Sequence, residues 1–188
     1  MFAFQSCYEH RQISVFLQKQ SSVREEVILV NEKDEALGVM EKLEAHQKGL
    51  LHRAFSVFVF NDRGELLLQQ RAYSKYHSGG LWTNTCCSHP RPGEDTLAAA
   101  NRRLMEEMGF QTPLLFKTSF VYKTPFDNQL TEHEFDHGFT GVYNHDPVID
   151  PNEVERFKWA TPEAIKTHMT AHPEAYTSWF CIAMQNIF

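Results

Sequence analysis

Cysteine is scarce in this chain and badly placed for cross-linking. Four of the 188 residues are Cys, at 7, 86, 87 and 181, and the adjacent Cys86 and Cys87 make poor partners for each other. No disulfide framework follows from that spacing, so a reducing compartment, the cytoplasm, is expected. Long apolar runs are also missing. No segment approaches the ~18 apolar residues of a membrane span. The first 26 residues lack the basic start and unbroken apolar stretch of a secretion signal. A cationic surplus is absent too: 18 Lys+Arg against 24 Asp+Glu leave a formal charge of -6 with His neutral. That speaks against non-specific nucleic-acid binding. It leaves room for an anionic small substrate, because a few local cations or a metal reverse the field inside a cleft. Repeats, low-complexity tracts and linkers are lacking as well. The expectation is one domain, 27–188, behind an added arm, 1–26, acting as a monomer or weak homodimer. For the arm, a pairing strand, a disordered end and an artefact of the reading-frame start all stay open.

What is present is enough for a packed core: hydrophobic residues reach 42% and aromatics 13%, with 15 Phe. Strands are expected at 27–30, 37–43, 54–60, 65–71, 114–122, 132–143 and 157–159, with turn-forming runs at 31–35 and 61–64. The period turns helical over 95–108, with Leu97, Ala100, Leu104 and Met108 on one stripe and Gly109 as the stop. Helices follow at 163–169, behind Pro162, and at 178–186. The fold class is α/β of the mixed (α+β) kind.

The most informative stretch is 83–90, Thr-Asn-Thr-Cys-Cys-Ser-His-Pro. In an extended segment Cys87 and His89 share a face and Cys86 turns the other way. Glu132 and Glu134 repeat that i,i+2 geometry. Convergence of the two pairs would place a thiol, an imidazole and two carboxylates together, enough for a metal with acid and base beside it. Each pair alone reads more simply as a small buried hydrophobe or a solvated strand edge.

A second pattern settles the weighing. Ser88-x5-Glu94-x7-Arg102-Arg103-Leu104-Met105-Glu106-Glu107-Met108-Gly109-Phe110 resembles the Nudix box, a loop feeding a helix whose carboxylates bind Mg²⁺ on a diphosphate. It departs from the box twice: Ser88 stands in place of Gly, and Arg103 in place of the first metal-binding Glu. Those departures, with Trp82-Thr83-Asn84-x-x-Cys87-x-His89-Pro90 and Glu132-His133-Glu134, resemble the type 1 isopentenyl-diphosphate isomerases over roughly 27–188.

The resemblance implies a Nudix-like α/β/α sandwich with a mixed sheet. It also implies a reversible 1,3-allylic proton shift between isopentenyl and dimethylallyl diphosphate, a step in isoprenoid precursor synthesis. It makes Cys87 the catalytic thiol and Glu134 the carboxylate on the opposite side, with Tyr122 bonded nearby. His46, His52, His89, Glu132 and Glu134 would ligate a tightly bound divalent ion, Mn²⁺, Zn²⁺ or Mg²⁺. Glu107 would hold the Mg²⁺ that travels with the diphosphate. Lys42, Arg71, Lys75 and Arg103 would face phosphate, and Trp179 the prenyl carbons. A nearby metal and cations are expected to favour the Cys87 thiolate. His10, His77, His133, His137, His145, His168 and His172 are read as core or surface residues, His137 with the further option of backing a ligand. Two other readings remain: a Nudix hydrolase of a nucleoside or other diphosphate, and a non-catalytic diphosphate-binding module.

Overall fold

Strand β3 (His52–Phe60) is the axis of the structure, a computed structural model that describes residues 25–75, 77–126 and 129–187. The 1–26 arm lies outside the described residues except for Glu25 and Glu26, and so do Cys7 and His10. Alternation along β3 sends Phe55, Val57 and Val59 into one core and Phe58 into another on the opposite face. One edge of β3 is taken by β8 (Thr131–Val142), which runs parallel to it from His52 opposite Glu134 to Phe60 opposite Val142. The other edge is shared among three strands. β1 (Glu26–Val30) meets it at His52, β6 (Cys86–Ser88) at residues 55–57, and β4 (Leu66–Arg71) at Phe60.

Antiparallel neighbours complete the mixed sheet: β2 (Ala36–Glu41) on β1, β7 (Leu115–Pro125) on β8, and β5 (Trp82–Thr83) and β9 (Val154–Ala160) on β4. Helix α2 (Thr96–Met108) covers one face through Ala99, Ala100, Leu104 and Met108. Helices α3 (Pro162–Ala171) and α4 (Ser178–Ile187) cover the other through Ile165, Phe180, Ala183 and Met184. The three layers are those of the expected α/β/α sandwich.

Three local expectations are corrected. The strand expected over 37–43 stops at Glu41, whose carboxylate accepts the Leu43 and Glu44 N–H groups at 3.0 and 2.9 Å. That cap opens a short helix, α1 (Lys42–Lys48), closed by Gly49 at φ 60°. Leu97 is 39% exposed and Ala99 takes its place in the buried stripe. The helix begins only at Thr96, where Asp95 accepts the Ala98 N–H, so Leu97 sits in the first turn beyond the edge of the core.

The 83–90 segment is not one extended run either. It leaves β4 after Thr83 and joins β3 at Cys86. Buried Asn84 and Thr85 make the crossing. Asn84 Nδ2 donates to the Val57 and Cys86 carbonyls at 3.2 and 2.7 Å, and Thr85 Oγ1 donates to Leu67 O at 2.7 Å while accepting the Val59 N–H at 2.9 Å. These side chains satisfy backbone groups that would otherwise be orphaned between two ladders.

Gly109 ends α2 at φ 71°, and a Cβ there would stand 2.2 Å from the Val148 carbonyl oxygen. A left-handed backbone alone costs an L-residue roughly 1–2 kcal/mol. Gly109→Ala is therefore expected to lower unfolding free energy by at least about 2 kcal/mol, read from the urea midpoint at unchanged slope.

Candidate active site

The donor ring forms where three elements meet. His46 is carried by α1, His52 opens β3, and Glu134 lies on β8 directly opposite His52. His89 follows β6 and rejoins the face of Cys87. His46 Nδ1 bonds the Lys42 carbonyl at 2.7 Å and His52 Nδ1 bonds the Leu50 carbonyl at 2.8 Å. A carbonyl only accepts, so each Nδ1 carries a proton and each Nε2 is turned inward, where it can ligate. The Nε2 atoms of His89, His52 and His46 lie 3.0, 3.6 and 4.0 Å from one oxygen, Glu134 Oε1. One ligand atom from each of these four residues falls within 4.8 Å of the others.

Burial pushes His89 down to about 4 and lowers His46, so both imidazoles are neutral. Burial works against the Glu134 charge, but the facing His89 and His52 hold its carboxyl well below the usual range. His89 Nε2–H donates to the ionised Glu134 carboxylate at 3.0 Å, and a cation among these buried donors would take the place of that proton. The donors therefore fit a divalent metal ion.

Glu132 stands one step aside. It is buried on the same face of β8, but its Oε2 lies 3.1 Å from the Tyr122 hydroxyl and it is not among the four converging donors. Tyr122 donates to Glu134 Oε2 at 2.7 Å. One hydroxyl hydrogen cannot serve both carboxylates. Burial and then the Glu134 charge push Glu132 well up, so a protonated Glu132 donates to the Tyr122 oxygen while Tyr122 donates to Glu134. A metal recruiting Glu132 would displace that proton.

Cys87 pairs with Ser56 across β6 and β3 and faces the same cavity of about 560 Å³ as Glu134, Tyr122 and Trp179. Cys86 points into the opposite core, fully buried. The expected thiolate is not what this chain provides on its own. Burial pushes the Cys87 thiol up to about 12, and the carboxylates of Glu107, Glu132 and Glu134 reinforce it against the pull of Arg71.

The same cavity is lined by four cations, Lys42, Arg71, Lys75 and Arg103. Arg71 lies 5.1 Å over the Trp179 ring. Lys75 is paired with Glu153, Lys42 with Glu25 at 2.8 Å, and Arg103 with Glu107 at 2.7 Å and Glu153 at 3.2 Å. Glu107 also accepts from Gln69 Nε2 at 2.8 Å. Arg102 grips Glu94 with Nε and Nη2 at 2.7 and 2.8 Å, fastening the loop to α2.

Three residues escaped the sequence reading. Asp136 extends the buried i,i+2 face of Glu132 and Glu134, a signal present in the alternation. It accepts from Ser56 Oγ at 2.8 Å, and burial and Glu134 raise it to about 8. Glu153 gave no sequence signal. His77, read as core or surface, lines the cavity, held neutral at about 3 by burial and Arg71. His137 turns to the opposite face and bonds Asp34 at 3.0 Å, so it backs no ligand. His133, His145, His168 and His172 do not line the cavity.

The NUDIX domain family profile matches residues 50–180. The isopentenyl-diphosphate Delta-isomerase of Pectobacterium atrosepticum is 52% identical over 86% of this chain and 90% of its own length. That of Serratia proteamaculans is 50% identical over 87% of this chain and 91% of its own. The crystal structure of DR0079 from Deinococcus radiodurans superposes with a TM-score of 0.73 at 22% identity, covering 87% of this chain and 99% of that one. A MutT protein of Methanosarcina mazei Go1 gives 0.61 at 16%, covering 73% and 92%. These two structures are similar in fold.

Removing a partner that merely orients a metal ligand costs about 10–100-fold in metal affinity, so deleting a donor should cost more. His52→Ala and His89→Ala are each expected to weaken divalent-metal binding by more than about 100-fold, measured by competition with a chromogenic chelator. Retention of wild-type affinity in both variants would remove the ring as a metal site.

Proposed function

This chain belongs to the NUDIX family, among its isopentenyl-diphosphate Delta-isomerases, and we propose that its cavity interconverts isopentenyl and dimethylallyl diphosphate by a 1,3-allylic proton shift. The observation that carries the proposal is one cavity lined by a protonated thiol on β6, an ionised, tyrosine-bonded carboxylate on β8, and an aromatic ring with a guanidinium above it. A hydrolase or a passive binding module has no use for a thiol set against a carboxylate.

An unactivated alkene is a weak base, so its protonation needs a placed acid and a stabilised tertiary cation. Cys87 and Glu134 flank the substrate, one as acid and the other as base, and exchange roles with the direction of reaction. The thiol moves a proton and forms no covalent bond to carbon. Tyr122 positions the Glu134 carboxylate and links it to Glu132. Trp179, only 4% exposed, lines the cavity with Arg71 over its ring, and its π system would stabilise the cation by about 2 kcal/mol when desolvated. Lys42, Arg71, Lys75 and Arg103 hold the diphosphate.

His46, His52, His89 and Glu134, with Glu132 adjacent, would hold a tightly bound ion, Zn²⁺ or Mn²⁺ by donor type and Mg²⁺ by the carboxylates. Glu107 would hold the Mg²⁺ that arrives with the diphosphate. When bound, these ions supply positive charge that fixes the ionisation of the surrounding groups and neutralises the phosphates.

Incubation with isopentenyl diphosphate in D₂O tests the reading. Deuterated dimethylallyl diphosphate is expected; phosphate release without isomer would make the protein a hydrolase, and neither product a binding module. In the same assay Cys87→Ala is expected to lose roughly 10²–10⁴-fold or more in kcat while keeping its affinity for pyrophosphate. Cys86→Ala is expected to stay active at a stability cost of about 1 kcal/mol. An active Cys87→Ala enzyme would overturn the role given to this thiol.

A further inference from the structure

His77 belongs neither to the donor ring nor to the thiol–carboxylate pair, yet its placement is tightly built. The loop after β4 folds back on itself: Lys75 N–H donates to Ala72 O at 3.2 Å and Gly80 N–H to Arg71 O at 3.0 Å. Ser78 and Gly80 have φ of 52° and 79°. A Cβ at Gly80 would lie 2.6 Å from the Tyr73 ring, and one at Gly79 2.9 Å from the Tyr73 carbonyl oxygen. Glycine at both positions lets the turn close this tightly and carry His77 inward.

The imidazole stands edge-on to Trp179 with centroids 5.8 Å apart at 77°. It lies 5.5 Å from the Phe126 ring and 6.5 Å from His46. Phe126 itself lies 6.5 Å from Trp179, so the three rings brace one another. Arg71 ties the arrangement together, donating from Nη2 to the His77 carbonyl at 3.4 Å while its guanidinium covers Trp179.

The geometry points to His77 as a specificity-determining residue: its imidazole is the wall that restricts the hydrocarbon end of the substrate to the size of an isopentenyl group. The inference rests on the proposed function for the identity of that substrate. With the diphosphate on Lys42, Lys75 and Arg103, and Arg71 reaching from it to cover Trp179, the hydrocarbon is left the space between the donor ring and Trp179, where His77 stands. Close-packed interiors do not yield a methylene for nothing. One extra methylene against a fitted apolar wall is worth roughly 10–200-fold in discrimination. Ring contacts on two sides keep the imidazole from swinging aside.

The test uses the metal-loaded full chain with isopentenyl diphosphate and its homologue bearing ethyl in place of methyl on the branched carbon. His77→Ala is expected to raise the kcat/KM ratio of homologue to natural substrate by about tenfold or more, mainly through KM. His77→Phe, which restores the bulk, should return the ratio to near the wild-type value. In parallel, calorimetry compares saturated isopentyl diphosphate, its one-carbon-longer homologue and inorganic pyrophosphate. His77→Ala should tighten the longer alkyl diphosphate selectively and leave pyrophosphate within about twofold. An unchanged ratio in a folded His77→Ala enzyme, or equal effects on pyrophosphate, would overturn the assignment. Wild-type protein that binds the two alkyl diphosphates equally would also overturn it. Failure of wild type to isomerise the natural substrate would instead sink the proposed function, while the binding comparison still decides the wall.

Discussion

The register of β3 against β8 is the constraint on which the site depends. His52 lies opposite Glu134, and β7 adds Tyr122 opposite Glu134 on the far edge. On the other side of β3, Ser56 pairs with Cys87 and so aims the thiol and, two residues on, His89. Of the groups proposed to react or to ligate, Cys87, His52, His89, Tyr122, Glu132 and Glu134 are thus indexed from one buried strand. A one-residue slip of β8 would turn Glu132, Glu134 and Asp136 to the other face and bring His133, Phe135 and His137 inward. Pairing with β3 from Glu134 to Val142 on one edge and with β7 on the other holds β8 in register. Strand pairing is what sets the geometry of the chemistry here.

The carboxylates and the cations of the cavity settle their charges differently. Around the donor ring, buried carboxylates face neutral imidazoles and one another, and the surplus negative charge has been driven onto Glu134 by raising Glu132 and Asp136. That arrangement is costly without a cation and stable with one. Among the cations, three are already matched by carboxylates: Lys42 by Glu25, Lys75 by Glu153, Arg103 by Glu107 and Glu153. These pairs keep some contact with water, where such bonds are worth about 1 kcal/mol or less. A diphosphate can therefore take over the cations at small cost. The carboxylates keep the long side chains gathered until it arrives.

The parts legible in the sequence are those where local pattern and tertiary role coincide. Strict alternation in β8, the Asp95 cap and Gly109 stop of α2, and the opposed faces of Cys86 and Cys87 all follow from periods of the backbone. Helix α1 was overlooked because Val39 and Met40 carry strand character up to the point where Glu41 turns into a cap. The break at Asn84 and Thr85 depends on two strands that are distant in sequence, so no local rule exposes it. Glu153 and His77 acquire their roles only when β9 and the loop after β4 are folded against α2 and α4, and a lone charged or aromatic residue carries no mark of that. Asp136 was readable by the same alternation that revealed its neighbours.

Arg103 shows how one position in a shared helix changes what a fold can do. In the box it resembles, that position holds a carboxylate beside Glu106 and Glu107, a cluster suited to several hard cations and an activated water. Here a guanidinium reaches Glu106 at 2.7 Å, Glu107 at 2.7 Å and Glu153 at 3.2 Å, with Nε buried and unpartnered. The carboxylates that would draw metal onto the phosphorus are partly neutralised. The positive charge is planar and fixed, able to hold a phosphate oxygen without polarising a water against it. Meanwhile the four converging donors that could hold a metal ion lie on α1, β3, β8 and just after β6. On the proposed reading, the same helix and sheet that in a hydrolase would aim metal at a phosphate bond would here grip the phosphate and place acid, base and charge around the alkene.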